Sequence, residues 1–230
     1  MKRSREEVVA ARLRLRDRFL ARMQATPAMS DARPLGTGPK NRHGMPRIPV
    51  DQTPAAAGKW PVLDLGAEPR VTREGFRLRI DGACRAPYTL DFAGLLELEQ
   101  VDDVSDFHCV TGWSRLDVPW RGVRLSTAIA LAEPFDSATH LVCHGSDGYE
   151  TNLPLVEALK DDVLLAHGVD GGALPDEHGG PVRVITPQLY AWKGAKWICR
   201  VELLEHDRKG FWEQRGYSNT AHPWRNDRYS

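Results

Sequence analysis

The sequence predicts a mixed α+β fold of short strands and short helices rather than a doubly wound parallel sheet. Two observations predict it. Strand-like apolar runs recur at residues 140–144, 162–168, 182–186 and 197–205. The helical patterns between these runs are short, so the strands are not linked by the long crossover helices of a parallel sheet.

The N-terminal quarter of the chain differs from the rest. Apolar residues recur at helical spacing over residues 8–23, which predicts an amphipathic helix packed on the body or on a partner. Residues 26–58 are rich in Pro, Gly and Ala and predict an extended arm. We therefore expect residues 1–59 to form a helix and arm, and residues 60–230 to form the globular domain.

Three further segments of the body have a clear local pattern. Apolar residues alternate with arginines over residues 76–80 before an Asp-Gly pair, which predicts a strand entering a turn. Residues 90–98 and 125–131 predict two short helices. Residues 211–230 are polar and aromatic, and we expect them to wrap around the body.

Charge and hydropathy exclude several classes of partner. Lys and Arg number 31, and Asp and Glu number 31, so no net positive charge favours nucleic acid or an anionic membrane. A local cationic pocket for one small anion stays possible. The sequence shows neither a bilayer-spanning apolar run nor a signal-peptide core, so we expect a cytoplasmic protein.

Cysteine is the first candidate for chemistry. The four cysteines include no close pair, which disfavours a zinc site or a disulfide framework and predicts free thiols. Cys109 lies in DFHCVTGWSR, where its neighbour His108 would point to the opposite side of an extended segment. A thiolate there suits a soft metal or nucleophilic attack, whereas a buried structural cysteine is the alternative. We expect Cys84, Cys143 and Cys199 to be structural.

The segment 177–203 is rich in basic side chains. This segment brings together His178, Arg183, Lys193 and Lys196, interleaved with glycines. Arginine offers a planar fork and lysine a point charge, and neighbouring glycines let backbone N–H groups approach an anion, so a phosphate would fit. The alternative is a set of scattered surface charges. The pattern matches neither a nucleoside triphosphate nor a dinucleotide motif.

Five segments, taken in order, resemble the sulfite oxidase-type molybdopterin oxidoreductases. They are DFHCVTGWS, VPWRGVRL, DGYETNLPL, HGGPVRVITPQLYAWKGAKW and FWEQRGYSNTAHPW. The resemblance spans residues 60–230 in a consistent order, which is more specific than any single motif. The short cytoplasmic subset of the family is the most similar, and the periplasmic protein-methionine-sulfoxide reductase catalytic subunit is a near relative.

The resemblance implies the sulfite oxidase-type fold and a molybdenum–molybdopterin cofactor, a pyranopterin without a nucleotide. It implies that Cys109 binds the molybdenum and that the pterin supplies the other sulfur ligands, so no close cysteine pair is needed. It also places Thr111, two residues further on, where it would face the metal.

The same resemblance implies a set of cofactor-binding residues. His178 and Arg183 would contact the pterin and its phosphate, and the WKGAK segment would close around that phosphate. A strand end at 144–145 corresponds to another lining position, and residues 61–66 resemble a pterin-contacting segment. The implied cofactor-binding residues are Cys109, His144, Gly145, His178, Arg183, Gly194, Ala195 and Lys196.

The turn after the implied ligand departs from the family. Sulfite oxidases carry an arginine there, whereas this chain has Trp113 and Ser114, with Arg115 one position further. A buried dianion needs fixed positive charge, so the sequence favours reduction of neutral S-oxides or N-oxides over sulfite oxidation. Arg115, Arg121 or a residue of the N-terminal arm could still bring a cation into the pocket.

The sequence thus predicts a molybdenum oxidoreductase that transfers an oxygen atom or an electron pair to or from a small substrate. Thr111, Trp113 and Tyr149 are expected to line the pocket, and the electron donor or acceptor is unknown. Two alternatives stay open: a molybdopterin-binding protein without turnover, and a metal-free enzyme with Cys109 as nucleophile.

Overall fold

The computed structural model describes residues 4–24, 34–56, 58–66 and 68–230. The N-terminal part contains helix α1 (Arg5–Gln24) and strands β1 (Gly36–Lys40), β2 (Pro46–Pro49) and β3 (Thr53–Pro54). The body continues with β4 (Arg77–Gly82), β5 (Tyr88–Asp91), α2 (Phe92–Glu97), β6 (Gln100–Cys109), β7 (Trp113–Arg124), α3 (Leu125–Leu131), β8 (His140–Gly145), β9 (Glu150–Pro154), α4 (Leu155–Ala158), β10 (Leu164–Val169), β11 (Gly172–Ala173), β12 (Arg183–Ile185) and β13 (Ile198–Leu204). Single 3₁₀ turns cover Asp176–His178, Ala191–Lys193, Glu213–Arg215 and Pro223–Arg225.

Within the described residues the strands form three sheets. One pairs β1 with β2, and a five-stranded sheet has the order β5-β4-β13-β8-β9. In the six-stranded sheet the path is β11-β10-β7-β3, with β12 on β10 and β6 on β7. Two pairs, β13 with β4 and β3 with β7, are parallel, and the others are antiparallel. The predicted α+β class with mixed sheets is confirmed.

Local patterns explain several elements. In β4 the arginines alternate with Leu78 and Ile80, which are fully buried, as a half-buried strand requires. The helix expected over residues 90–98 is shorter, because β5 continues to Asp91 and the Asp91 carboxylate caps α2 by accepting from the Gly94 N–H at 2.8 Å. The helix expected over residues 125–131 is α3.

The hairpin of β6 and β7 was not predicted, because acidic residues interrupt its apolar pattern. Asp103 and Asp106 are buried in β6, where unpaired carboxylates would be costly. Arginines of the N-terminal arm pair with them: Arg42 Nη1 lies 2.5 Å from Asp103 Oδ1, and Arg47 Nη2 lies 2.6 Å from Asp106 Oδ1. Residues about 60 positions away therefore stabilise this strand.

The described part of the N-terminal region contacts the body directly. Strand β3 pairs with β7, and the Gln52 side-chain amide donates to the Cys109 carbonyl at 3.0 Å. Val8 and Val9 of α1 pack against the main core, while the side chains of Phe19 and Met23 lie outside the described residues. None of the helices in the described ranges is both long and apolar enough to cross a bilayer.

The C-terminal segment packs against the N-terminal arm and the end of β6. Trp224 is buried and its indole N–H donates to the Pro46 carbonyl at 2.5 Å. The buried Arg228 guanidinium donates to the carbonyls of Val110 and Asp51. The chain end thus ties the β6–β7 turn to the N-terminal arm, which fixes the backbone around Cys109.

Candidate active site

A cleft of about 830 Å³, open solvent at its mouth included, lies between the end of β6 and the segment around β12. Of its twenty lining residues, seven are Trp, Tyr or Phe and five are charged. It is lined by Arg12, Trp60, Pro61, Leu63, Asp64, Leu65, Phe107, Cys109, Val110, Trp113, Asp147, Tyr149, His178, Arg183, Ala191, Trp192, Gly194, Lys196, Trp212 and Tyr217.

Cys109 is the last residue of β6 and is 4% exposed. Its Sγ lies 3.1 Å from the hydroxyl oxygen of Thr111. Burial raises the pKa of the thiol, while the Thr111 hydrogen bonds and the charges of Arg12 and Arg228 oppose that rise. On balance the surroundings disfavour the free thiolate, and the nearby cations offset this only in part.

His108 does not act on this thiol. Its Nδ1 lies 2.8 Å from the Ser114 hydroxyl oxygen, in a buried pocket behind the strand. Burial lowers its pKa to about 4, so the ring is neutral near pH 7. The alternation expected for an extended segment is confirmed, and the pair does not form a catalytic dyad.

Arg183 is a buried cation on the other wall. Its guanidinium donates to the carbonyls of His178 at 2.9 Å and of Val184 and Gly194 at 3.3 Å. Burial lowers its pKa to about 10, and no carboxylate in the described residues pairs with it. Because a buried charge without a counter-ion is costly, this position is suited to an anion that enters the cleft.

Lys196 adds a second cation beside Arg183, and His178 lines the cleft next to both. The Lys196 ammonium donates to the Glu177 carbonyl at 2.6 Å, and burial and then the Arg183 charge lower its pKa to about 8. His178 stacks on Trp60 with ring centroids 3.6 Å apart. Burial, followed by the charges of Arg183 and Lys196, lowers the pKa of His178 to about 4, so a neutral imidazole faces the cleft.

Glycines let these segments approach each other closely. A Cβ on Gly194 would lie 2.4 Å from the Val184 carbonyl oxygen, and one on Gly179, where φ is +107°, would lie 2.8 Å from Lys196 Cβ. The Gly194 N–H donates to the Ala191 carbonyl at 3.1 Å. Among the described residues the N–H groups of Ala195 and Lys196 have no backbone acceptor; Lys196 lines the cleft, whereas Ala195, also an expected cofactor-binding residue, is fully buried and does not line it.

Some expected residues lie elsewhere. His144 lies outside the cleft, with Nδ1 3.0 Å from Glu150 and Nε2 3.1 Å from Glu202. Gly145, which follows it in β8, does not line the cleft either. Lys193 is fully buried and pairs with Glu213 at 2.7 Å, so its charge is already balanced.

The expected pocket lining is largely present. Trp113 and Tyr149 line the cleft, whereas Thr111 contacts the Cys109 sulfur without lining it. The segment 61–66 contributes Pro61, Leu63, Asp64 and Leu65 to the lining.

Other lining residues were not expected. They are Arg12, Trp60, Phe107, Val110, Asp147, Ala191, Trp192, Trp212 and Tyr217. Most lie inside or beside the segments that resemble the family, and the aromatic residues of those segments could have indicated them. No local sequence pattern indicated that Arg12 would line the cleft.

The other cysteines stand apart from the cleft lining. Cys84 and Cys143 are buried, Cys199 is half-buried, and all four cysteines are free thiols, as expected. Burial raises the pKa of Cys143 to about 12, and the Cys199 thiol donates to the His144 carbonyl at 3.3 Å. The described geometry therefore brings Cys109 alone among them to the cleft.

The family model described as "Oxidoreductase molybdopterin binding domain" matches residues 65–212, well over half of the chain. The chain belongs to this family. It is thus a molybdopterin-binding oxidoreductase, and the resemblance to the sulfite oxidase-type enzymes is confirmed. The matched range contains Cys109, Arg183 and Lys196, the groups that define the cleft.

Named relatives agree with this assignment. The oxidoreductase YuiH of Bacillus subtilis is 36% identical over 185 residues, covering 80% of this chain and 92% of that protein. The protein-methionine-sulfoxide reductase catalytic subunit MsrP of Gluconobacter oxydans is 32% identical over 155 residues, covering 60% of this chain. This chain spans about half of that relative, 49% of its length.

A solved structure shows the fold. The sulfane dehydrogenase SoxCD of Paracoccus pantotrophus superposes with a TM-score of 0.58 at 21% identity, covering 66% of this chain and 43% of that chain. At this level of identity the likeness concerns the fold alone. It confirms the expected sulfite oxidase-type architecture of this oxidoreductase.

Proposed function

We propose that this oxidoreductase holds a molybdenum–molybdopterin cofactor in the cleft and reduces neutral S-oxides or N-oxides. The observation that carries the proposal is the pairing of two groups in one cleft. Cys109 offers a single buried thiol, and Arg183 offers a buried cation without a carboxylate partner among the described residues. A soft metal and a phosphate are the ligands that these two groups suit.

The residues present fit such a cofactor. Arg183 and Lys196 supply positive charge for the phosphate, and the Lys196 N–H has no backbone acceptor among the described residues. The neutral His178 ring, stacked on Trp60, presents an aromatic and polar edge to the pterin. Cys109 would then hold the metal end, so each end of the cofactor has its own anchor.

When bound, the molybdenum supplies two-electron and oxygen-atom transfer chemistry. The chain positions the reacting groups and excludes water. The Thr111 hydroxyl contacts the Cys109 sulfur and fixes its orientation. The aromatic side chains of Trp113, Trp212 and Tyr217 form an apolar wall that limits water near the reacting atoms.

The choice of a neutral oxide rests on the cations near Cys109. Arg115 pairs with Asp170, and Arg121 pairs with Asp102 at 2.8 Å, so both are engaged outside the cleft. From the N-terminal region Arg12 does line the cleft, where it can contact a second group of the substrate. The names of the methionine-sulfoxide reductase relatives support S-oxides as the substrate class. A cytoplasmic location, as the sequence suggests, is also part of this proposal.

A metal-free cysteine enzyme is less well supported. A nucleophilic cysteine needs a depressed pKa or an adjacent base, whereas burial raises the pKa of Cys109. His108, its neighbour in the chain, faces Ser114 instead. A cofactor-binding protein without turnover would share the geometry, so the distinction depends on kinetics.

Kinetics measured side by side with S-oxides, an N-oxide and sulfite test the proposed direction of the reaction. We expect kcat/KM for dimethyl sulfoxide, methionine sulfoxide or trimethylamine N-oxide, with a reduced dye as donor, to exceed that for sulfite oxidation at least about tenfold, or about 1.4 kcal/mol. A higher kcat/KM for sulfite would overturn the direction. Absence of turnover in a molybdenum-loaded protein would favour the binding protein.

The low pKa of Lys196 predicts a pH dependence of cofactor loading. A phosphate monoester is a dianion above about pH 6, and Lys196 loses its proton as the pH rises through about 8. We therefore expect the affinity of the apo-protein for released molybdopterin to decline from about pH 8 upward. Lys196→Arg should remove this decline because its charge persists, and an unchanged pH profile in that variant would contradict the role of Lys196.

A further inference from the structure

Helix α1 packs beside the cleft and is anchored at two points. Near its start the Arg5 guanidinium donates to the Gly148 carbonyl at 3.2 Å and lies 4.9 Å from the Phe211 ring centroid. Further along, Arg16 donates to the Arg215 carbonyl at 2.7 Å. Gly148 stands between two cleft-lining residues in the chain, and Arg215 stands close to two others. The helix is therefore held through Arg5 and Arg16 against the neighbouring segments 147–149 and 211–217, which contribute to the cleft lining.

Arg12 lies between these anchors and on the same face of α1. Positions 5, 8, 9, 12 and 16 follow the three- and four-residue spacing of one helical face. Val8 and Val9 pack on the main core, and Arg12 lines the cleft. Cys109 lines the same cleft. The helix thus presents a guanidinium to the cleft that contains the thiol.

The charge of Arg12 has no direct ion-pair partner among the described residues, although Asp64 and Asp147 line the same cleft. Arg16, by contrast, pairs with Asp17 at 2.7 Å. The other cations that line the cleft, Arg183 and Lys196, are assigned to the cofactor phosphate. An arginine fork matches a carboxylate group in both charge and shape. Arg12 is therefore available for an anionic group of the substrate.

We infer that Arg12 is a specificity-determining residue that binds a carboxylate of the substrate, so that the preferred substrates are S-oxides of thioether carboxylic or amino acids. The inference rests on the proposed function. The neutral S–O group would lie at the Cys109 end, among the aromatic residues, and the carboxylate would lie beneath α1. A neutral S–O group is compatible with a cationic Arg12, because Arg12 contacts the carboxylate and the S–O group is a different part of the same substrate molecule.

A first experiment needs no cofactor. Iodoacetate and iodoacetamide alkylate the same thiol and differ chiefly in charge, so the ratio of their rates at Cys109 reports the local positive charge. In the apo-protein, with Cys109 followed by peptide mass spectrometry, Arg12→Gln should lower the iodoacetate-to-iodoacetamide ratio several-fold. Arg14→Gln is the matched control, because Arg14 is exposed and two positions along the helix. An unchanged ratio in Arg12→Gln would overturn the placement of this charge.

A second experiment uses the loaded enzyme. N-acetylmethionine sulfoxide carries a carboxylate, and its methylamide is the neutral counterpart. Arg12→Gln should reduce kcat/KM for the acid about tenfold or more, mainly through KM, and affect the amide much less. Arg14→Gln should change neither. An equal loss for both substrates would contradict the inference, as would a loss confined to sulfite oxidation.

Together the two experiments distinguish a failure of the proposed function from a failure of the carboxylate inference. If the protein turns over no S-oxide, the proposed function fails, and the alkylation ratio still reports whether Arg12 creates an anion-binding position. If S-oxides are reduced but acid and amide are equivalent in wild type, the proposed function stands and the carboxylate inference fails.

Discussion

Cys109→Ser is expected to abolish turnover with every donor and acceptor and to lower the molybdenum content. A serine oxygen is a hard ligand and replaces a soft thiolate that the metal prefers. Loss of groups that only support a metal ligand already costs about 10–100-fold, so loss of the ligand should cost more. The measurements are dye-linked kinetics, metal content per chain and the absorption spectrum of the purified variant.

Cys199→Ser provides the matched control. Cys199 is half-buried and does not line the cleft, so the substitution should leave metal content and activity unchanged. Cys84→Ala should likewise retain the metal. A Cys109→Ser enzyme that stays active with a wild-type spectrum would rule out the ligand role, and loss of metal in either control would implicate a second cysteine.

Arg183→Ala is expected to weaken cofactor binding by about 1.5–3 kcal/mol, or roughly 10–150-fold, the range for a hydrogen bond to a charged group. The guanidinium is buried and has no carboxylate partner in the described residues, so its charge is directed to the cleft. Arg183→Lys should restore only part of the affinity because the planar fork is lost. Pterin fluorescence after acid oxidation measures occupancy.

A structural effect of Arg183→Ala must be separated from a binding effect. Arg183 also holds three backbone carbonyls, so the apo-protein of each variant should be checked by thermal unfolding. Arg200→Ala removes a half-buried arginine from an ion pair with Asp81, outside the cleft, and should keep full occupancy. Full occupancy in both Arg183 variants would mean that the anion binds elsewhere.

Local sequence patterns predicted the elements whose stability is local. The alternation before the Asp-Gly pair gave β4, and the apolar run at 125–131 gave α3. The β6–β7 hairpin was missed because its buried Asp103 and Asp106 depend on Arg42 and Arg47, which are remote in sequence. Long-range ion pairs of this kind leave no periodic signal in either segment.

In the candidate site, too, local motifs predicted some residues and missed those whose position depends on remote contacts. The motifs led to Cys109, His178 and Arg183, which the fold brings to one cleft. They also suggested His144, whose ring instead lies between two glutamates outside the cleft. Arg12 could not be assigned from its pattern, because its role depends on how α1 is anchored against loops that are more than 100 residues away.

The central claim is that Cys109 ligates molybdenum in this cleft, and X-ray absorption at the molybdenum edge tests it most directly. Protein produced in a cofactor-competent host should contain about one molybdenum per chain, as single-thiolate ligation implies. Its absorption fine structure should show one sulfur ligand more than that of Cys109→Ser loaded with the same cofactor. An identical sulfur count in the two proteins, or active wild-type protein without molybdenum, would contradict the account.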